Sequence, residues 1–181
     1  MGKIIRLLTL VGALSCAAPL HAQYFGVRVN ALALVSGTLN AAVERAAGER
    51  LTLDLSLYWN PLHTDRVQCR AMAVQPGIRY WFFENYVGWF LSGHLAAARY
   101  DVGNDRRHYK GWLAGAGLSA GYAWPIGKRW NLSAEAGFGV FYMRDTKSPH
   151  FVGDFEPLVR HRCRRVSFGP SKCEVGITYL F

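Results

Sequence analysis

The chain has 181 residues, a formal charge of +9 and 51% hydrophobic residues, which is the length of one domain with an ordinary core. Its four cysteines lack the paired short spacing of a zinc site and are too few for a disulfide scaffold. The basic excess favours anionic partners. Nucleic acid is excluded from these, because no aromatic stacking platform accompanies the basic runs.

The N-terminus carries Lys3 and Arg6, an apolar run over residues 7–20, and then Leu20-His21-Ala22, the charged, apolar and small-residue order of a signal peptide. The expected domains are therefore a signal peptide at residues 1–22 and a mature domain at residues 23–181. Leu14-Ser15-Cys16 is a weaker, lipoprotein-like alternative, with Ala13 where such a site usually has leucine. The apolar run is shorter than the roughly 20 residues a membrane-spanning helix needs, and no later run is long and uncharged enough. Beyond residue 22 only Cys69, Cys163 and Cys173 remain, so at most one intrachain disulfide is expected, and whether Cys69 and Cys163 meet stays open.

From Tyr24 onward the dominant pattern has period two. Leu51, Leu53, Leu55, Leu57 and Trp59 alternate with Thr52, Asp54, Ser56, Tyr58 and Asn60. Likewise Leu132, Ala134, Ala136, Phe138, Val140 and Tyr142 alternate with Asn131, Ser133, Glu135, Gly137 and Gly139. Such alternation marks strands with two different faces. It predicts eight strands, at residues 24–36, 38–47, 51–60, 71–84, 87–101, 109–125, 129–145 and 168–181.

The connections alternate in length. Residues 47–50, 85–86 and 126–128 are tight turns, whereas residues 61–70, 102–108 and 146–167 are long loops, and only the connection around Gly37 departs from this order. A sandwich has no reason to segregate its connections in this way, whereas an outer-membrane barrel has short periplasmic turns and long external loops. The face opposite the large apolar residues carries small ones such as Gly115, Gly117, Ser119 and Gly121, which suit the narrow interior of an eight-stranded barrel. Trp59, Tyr80, Phe82, Trp89, Trp112, Tyr122, Trp124, Trp130, Tyr142, Tyr179 and Phe181 fall near strand ends, where aromatic girdles meet the two membrane boundaries. The expected fold is an all-β, eight-stranded antiparallel up-and-down transmembrane β-barrel in the bacterial outer membrane.

The last strand ends on Phe181, with Tyr179, Gly176 and Glu174 before it. This looks like the terminal signal taken up by the outer-membrane barrel-assembly machinery, through strand addition with alternate side chains supplying selectivity. On the strand parity, Arg28, Glu44, Asp54, Arg79, His94, Glu135 and Glu174 face the interior. Buried charges must pair or stay hydrated, so an ion-paired plug is expected in preference to a conduction path. Arg160, Arg162, Arg164 and Arg165 are expected in the last external loop as an anion site for lipopolysaccharide phosphates, since guanidinium bonds phosphate bidentately. A solvated loop is the alternative. No cofactor is expected, and the scattered His63, His108, His150 and His161 show no metal-ligand spacing.

Val74-Gln75-Pro76-Gly77-Ile78-Arg79-Tyr80-Trp81 and Leu55-Ser56-Leu57-Tyr58-Trp59-Asn60-Pro61 resemble an uncharacterised family of bacterial outer-membrane proteins, known only as a domain of unknown function. The resemblance covers nearly the whole mature chain and implies an architecture similar to the small OmpA-type and OmpX-type barrels. It brings no catalytic residues, and it implies an association with surface-fimbria components. The functional expectation is a non-enzymatic barrel in envelope structure, adhesion or fimbria assembly, with outer-membrane lipid, lipopolysaccharide and the assembly machinery as partners. The alternatives are a lipid-modifying barrel enzyme, with His94 as base and Ser92 on its face, and a narrow pore.

Overall fold

A computed structural model describes residues 25–63, 67–104, 107–149 and 161–181. Its elements are β1 (Phe25–Asn30), α1 (Ala31–Val35), β2 (Leu39–Ala46), β3 (Leu51–His63), β4 (Val67–Trp81), β5 (Gly88–Asn104), β6 (Arg107–Pro125), β7 (Trp130–Pro149) and β8 (His161–Leu180). Every strand pairs antiparallel with its sequence neighbour, and β1 returns to β8 from Gly26 opposite Leu180 to Asn30 opposite Gly176. The sheet is a closed eight-stranded up-and-down barrel. Closure removes the sheet edges that would otherwise expose unpaired backbone groups.

The two faces are inverted relative to a water-soluble barrel. Leu53, Leu55, Leu57, Leu95, Phe138 and Phe168 point outward and are exposed, whereas Arg28, Glu44, Thr52, Asp54, Arg79, Glu135 and Lys172 point inward and are buried. Thus the wall is apolar outside and the core is polar. No helix among the described residues is long and apolar enough to cross a membrane.

One end is closed by residues 47–50, 82–87 and 126–129 together with Phe181. Here the core turns apolar: Trp81, Tyr86, Phe90 and Ala123 form a buried cluster, with Trp81 and Phe90 ring centroids 4.7 Å apart. Tyr86 adopts φ 70°, an uncommon left-handed conformation for a non-glycine residue. The Asn131 side-chain amide donates to the Tyr86 carbonyl and holds the turn under the barrel.

The structure departs from the sequence reading in two places. The first strand stops at Asn30, where residues 24–36 had been expected to form one strand. The Asn30 side chain accepts from the Leu32 and Ala33 amides, a capping arrangement that starts a helix, so Ala31-Leu32-Ala33-Leu34-Val35 forms α1 although its alternation mimics a strand. Gly37, at φ 76°, then turns the chain into β2. At the opposite end from the tight turns, hereafter the open end, the strands are longer than expected. β3 runs to His63 and β4 begins at Val67, β5 runs to Asn104 and β6 begins at Arg107, and β7 runs to Pro149 and β8 begins at His161, so strand replaces most of the loops expected at residues 61–70 and 102–108 and much of the one expected at residues 146–167. These outer segments lack an apolar face, so their composition reads as loop, yet the neighbouring strands continue the hydrogen-bond ladder.

Candidate functional site

The lumen holds two pairs of carboxylates on facing walls. Glu44 on β2 lies opposite Asp54 on β3, and Glu135 on β7 lies opposite Glu174 on β8. Like charges directly opposite one another repel, so each pair requires cations. Three supply them. Arg28 on β1 reaches Glu44 at 2.6 Å and Asp54 at 3.5 Å and pairs with Glu174 through Nε. Arg79 on β4 bridges the walls, at 2.9 Å from Glu44 and 2.5 Å from Glu135. Lys172 on β8 stands 3.1 Å from Glu135, 3.7 Å from Asp54 and 4.0 Å from Glu174.

Hydroxyls complete the shell. Thr52 donates to Glu44 and Ser119 to Glu135, each at 2.6 Å, while the Trp81 indole donates to Thr52 at 3.0 Å. The Arg79 guanidinium also lies over the Phe90 ring, 4.7 Å from its centroid, so the ionic layer rests directly on the apolar floor. Arg28 is 0% exposed and Arg79 1%. At this level the lumen is filled by buried, ion-paired side chains.

Two small residues make room for this layer. A Cβ at Gly176 would come 2.7 Å from Arg28 Cδ and 2.8 Å from Glu174 Oε1, and one at Gly77 would come 2.5 Å from Asp54 Oδ1. All seven interior residues named from parity are therefore in the lumen, six of them in the ion-paired layer. Lys172 was missed, although it shares a face with Glu174 and alternation could have found it. Beyond it the parity breaks: Gly137 faces Lys172 whereas Phe138 faces Pro170. Ser171 is thus an extra residue, a bulge of the kind that accommodates a proline without a backbone donor in a strand.

His94 is buried on β5, in register with Gly77 and Gly117. Neither of its ring nitrogens nor the Ser92 hydroxyl makes a hydrogen bond among the described residues, so the two are not joined as a base and nucleophile. No metal-binding group of His, Cys, Asp and Glu occurs among the described residues. Cys69 and Cys173 are free thiols.

The expected loop cluster is placed differently. Arg160 lies outside the described residues, as do residues 1–24, which include the whole of the expected signal peptide. Arg162, Arg164 and Arg165 lie on β8, not in a loop, because β7 continues far enough to pair with them: Arg162 faces Thr146, Arg164 faces Arg144 and Arg165 faces Met143. Arg165 sits 3.4 Å from Asp145.

Of the terminal residues, Tyr179 packs edge-on against Trp130 and Phe181, with centroids 5.0 Å and 4.9 Å away. The Phe181 amide donates to the Phe25 carbonyl at 2.9 Å, which ties the last residue to the first strand. Glu174 and Gly176 belong to the lumen layer.

A family profile matches residues 6–181, almost the entire sequence. The chain belongs to the family described as Protein of unknown function (DUF3575). No curated protein and no solved structure matches it. For this DUF3575 chain the site is therefore argued from its own geometry: a buried, ion-paired layer across a closed barrel, bounded by an aromatic floor at the turn end.

Proposed function

We propose that this protein is a non-enzymatic outer-membrane β-barrel of a bacterial envelope, similar in kind to the small OmpA-type and OmpX-type barrels, that serves envelope structure, adhesion or surface-fimbria assembly. The inverted wall is the observation that supports it. Exposed Leu53, Leu55, Leu57, Leu95, Leu118 and Phe138 form a continuous outer face that water would disfavour, and a bilayer is the solvent suited to it. Along β7 this face runs from Trp130 to Tyr142, with an aromatic at either limit. That span suits the roughly 9–11 tilted residues a hydrocarbon core requires, plus two interfacial positions. The turn end is then periplasmic and the open end external.

The filled ionic layer favours a plug over a conducting pore, and the unlinked Ser92 and His94 give no support to an enzyme. Function on this reading resides in the external end and the outer wall. The experiment is expression with the native N-terminus, membrane fractionation and gel migration with and without boiling. Recovery in the outer membrane with heat-dependent migration is expected. Recovery as a soluble protein, whose migration boiling does not change, would reject the proposal. Ionic conductance in planar bilayers would instead favour the pore, and altered lipid A in a deletion strain the enzyme.

A further inference from the structure

We infer that the outer wall carries a binding site for a phosphate-bearing lipid, built from Arg99, Arg144 and Arg164 around Trp112. The inference rests on the membrane reading above and specifies which lipid chemistry the wall would select. The hydrogen-bond register places these residues in one row: Arg99 on β5 faces Trp112 on β6, Trp112 faces Arg144 on β7, and Arg144 faces Arg164 on β8. All four share the outward parity of Ala97, Ala114, Tyr142 and Val166. Arg99 and Arg164 are exposed, and Arg144 is half-buried.

Two observations point to an anion here. The first is electrostatic: Arg144 and Arg164 are direct cross-strand partners, a like-charge arrangement that is unfavourable by itself. Among the described residues no carboxylate pairs with Arg99, Arg144 or Arg164, whereas Lys110 on the same wall has Asp101 at 3.7 Å and Arg165 has Asp145 at 3.4 Å. A phosphate, with acceptor oxygens matched to the guanidinium fork, would relieve the repulsion.

The second is position. The row lies at the upper limit of the apolar wall, one step above Tyr142 and Val166, where lipid headgroups meet acyl chains. Arg99, Trp112, Met72 and Trp59 share a groove of about 920 Å³ with Ala97 and Ala114. Small residues below and bulky ones beside Arg99 leave room for an acyl chain on that side of Trp112, while Arg144 and Arg164 stand across the ring from it, within reach of the same headgroup. A free anion would have no use for that apolar groove, so the assigned occupant is a lipid. This site differs from the expected loop cluster: only Arg164 is common to both, and the other members come from β5 and β7.

The test uses the whole barrel in neutral detergent micelles, titrated with a diphosphorylated disaccharide lipid and with the same lipid after dephosphorylation, and read by native mass spectrometry. The triple variant R99Q/R144Q/R164Q should bind the phosphorylated lipid roughly 100-fold more weakly, taking each basic residue near the surface as contributing a factor of about five. The control R50Q/K128Q, at the opposite end of the barrel, should bind as the parent does. The dephosphorylated lipid should bind the parent no better than the phosphorylated lipid binds the triple variant. Undiminished binding by the triple variant would overturn the proposal, and so would equal binding of the two lipids. Displacement of the lipid by equimolar inorganic phosphate would show a simple anion site and overturn the lipid assignment. Insertion of both proteins into lipid vesicles is scored in parallel. A parent barrel that does not insert defeats the membrane reading itself, whereas an inserting barrel without phosphate selectivity defeats only this inference.

Discussion

Substitution of Arg28 by methionine removes one of three cations that serve four buried carboxylates. Arg28 contacts Glu44 at 2.6 Å and Asp54 at 3.5 Å, and also Glu174. Arg79 remains on Glu44, and Lys172 stays 3.7 Å from Asp54 and 4.0 Å from Glu174. Glu174 is then left with only the long contact. Removing one partner of a buried pair typically costs about 3–5 kcal/mol, because the remaining charge is neither paired nor hydrated. For a domain of this size that corresponds to a fall in Tm of roughly 6–20 °C. The double variant R28M/E174Q restores the original one-charge excess of carboxylates and should regain much of the loss. Urea and thermal unfolding of the detergent-folded barrel, followed by the boiling-sensitive gel shift, measures both variants. A loss below about 1 kcal/mol for R28M, the range of exposed pairs, would mean the lumen is hydrated and the plug argument is wrong.

Replacing Gly176 by alanine should lower stability and slow assembly, since the added carbon meets Arg28, Glu174 and Ser133 within 2.9 Å; unchanged urea unfolding would reject the crowding argument. Deleting Phe181 removes its packing on Tyr179 and its backbone bond to Phe25, and should reduce the yield of heat-modifiable barrel in cells far more than R165Q does. R165Q itself should shift stability by less than about 1 kcal/mol, because its pair with Asp145 has a largely exposed arginine. N30A should cost about 1 kcal/mol for the lost helix cap, and more through the Cys173 carbonyl that Asn30 also binds; thermal unfolding decides this.

Much of this architecture is legible in the sequence because strand alternation reports the faces directly. A residue such as Glu135, flanked by Ala134 and Ala136 within a long alternating run, has only one plausible side of the wall. The same logic placed Arg28, Arg79 and Glu174 in the lumen. It failed where local chemistry overrides periodicity. Asn30 caps a helix within an alternating segment, and the Ser171 bulge changes the phase of β8 between Pro170 and Lys172. Trp81 and Phe90 were missed as a lumen floor because the inner face was expected to be small or polar, whereas the narrow turn end needs bulk to seal it. The row of Arg99, Arg144 and Arg164 was not visible either. Those residues are distant in sequence, and only the register of β5 through β8 aligns them.

The orientation of the tryptophans tests the central claim of an inverted, bilayer-embedded barrel most directly. Trp81 is 1% exposed inside the floor cluster, whereas Trp59, Trp89, Trp112, Trp124 and Trp130 are 40–58% exposed on the outer wall. Single-tryptophan variants reconstituted in vesicles of brominated phosphatidylcholine should show strong quenching at each outer position and little at Trp81. Quenching of the outer tryptophans by aqueous iodide, with no response to brominated lipid, would contradict the account.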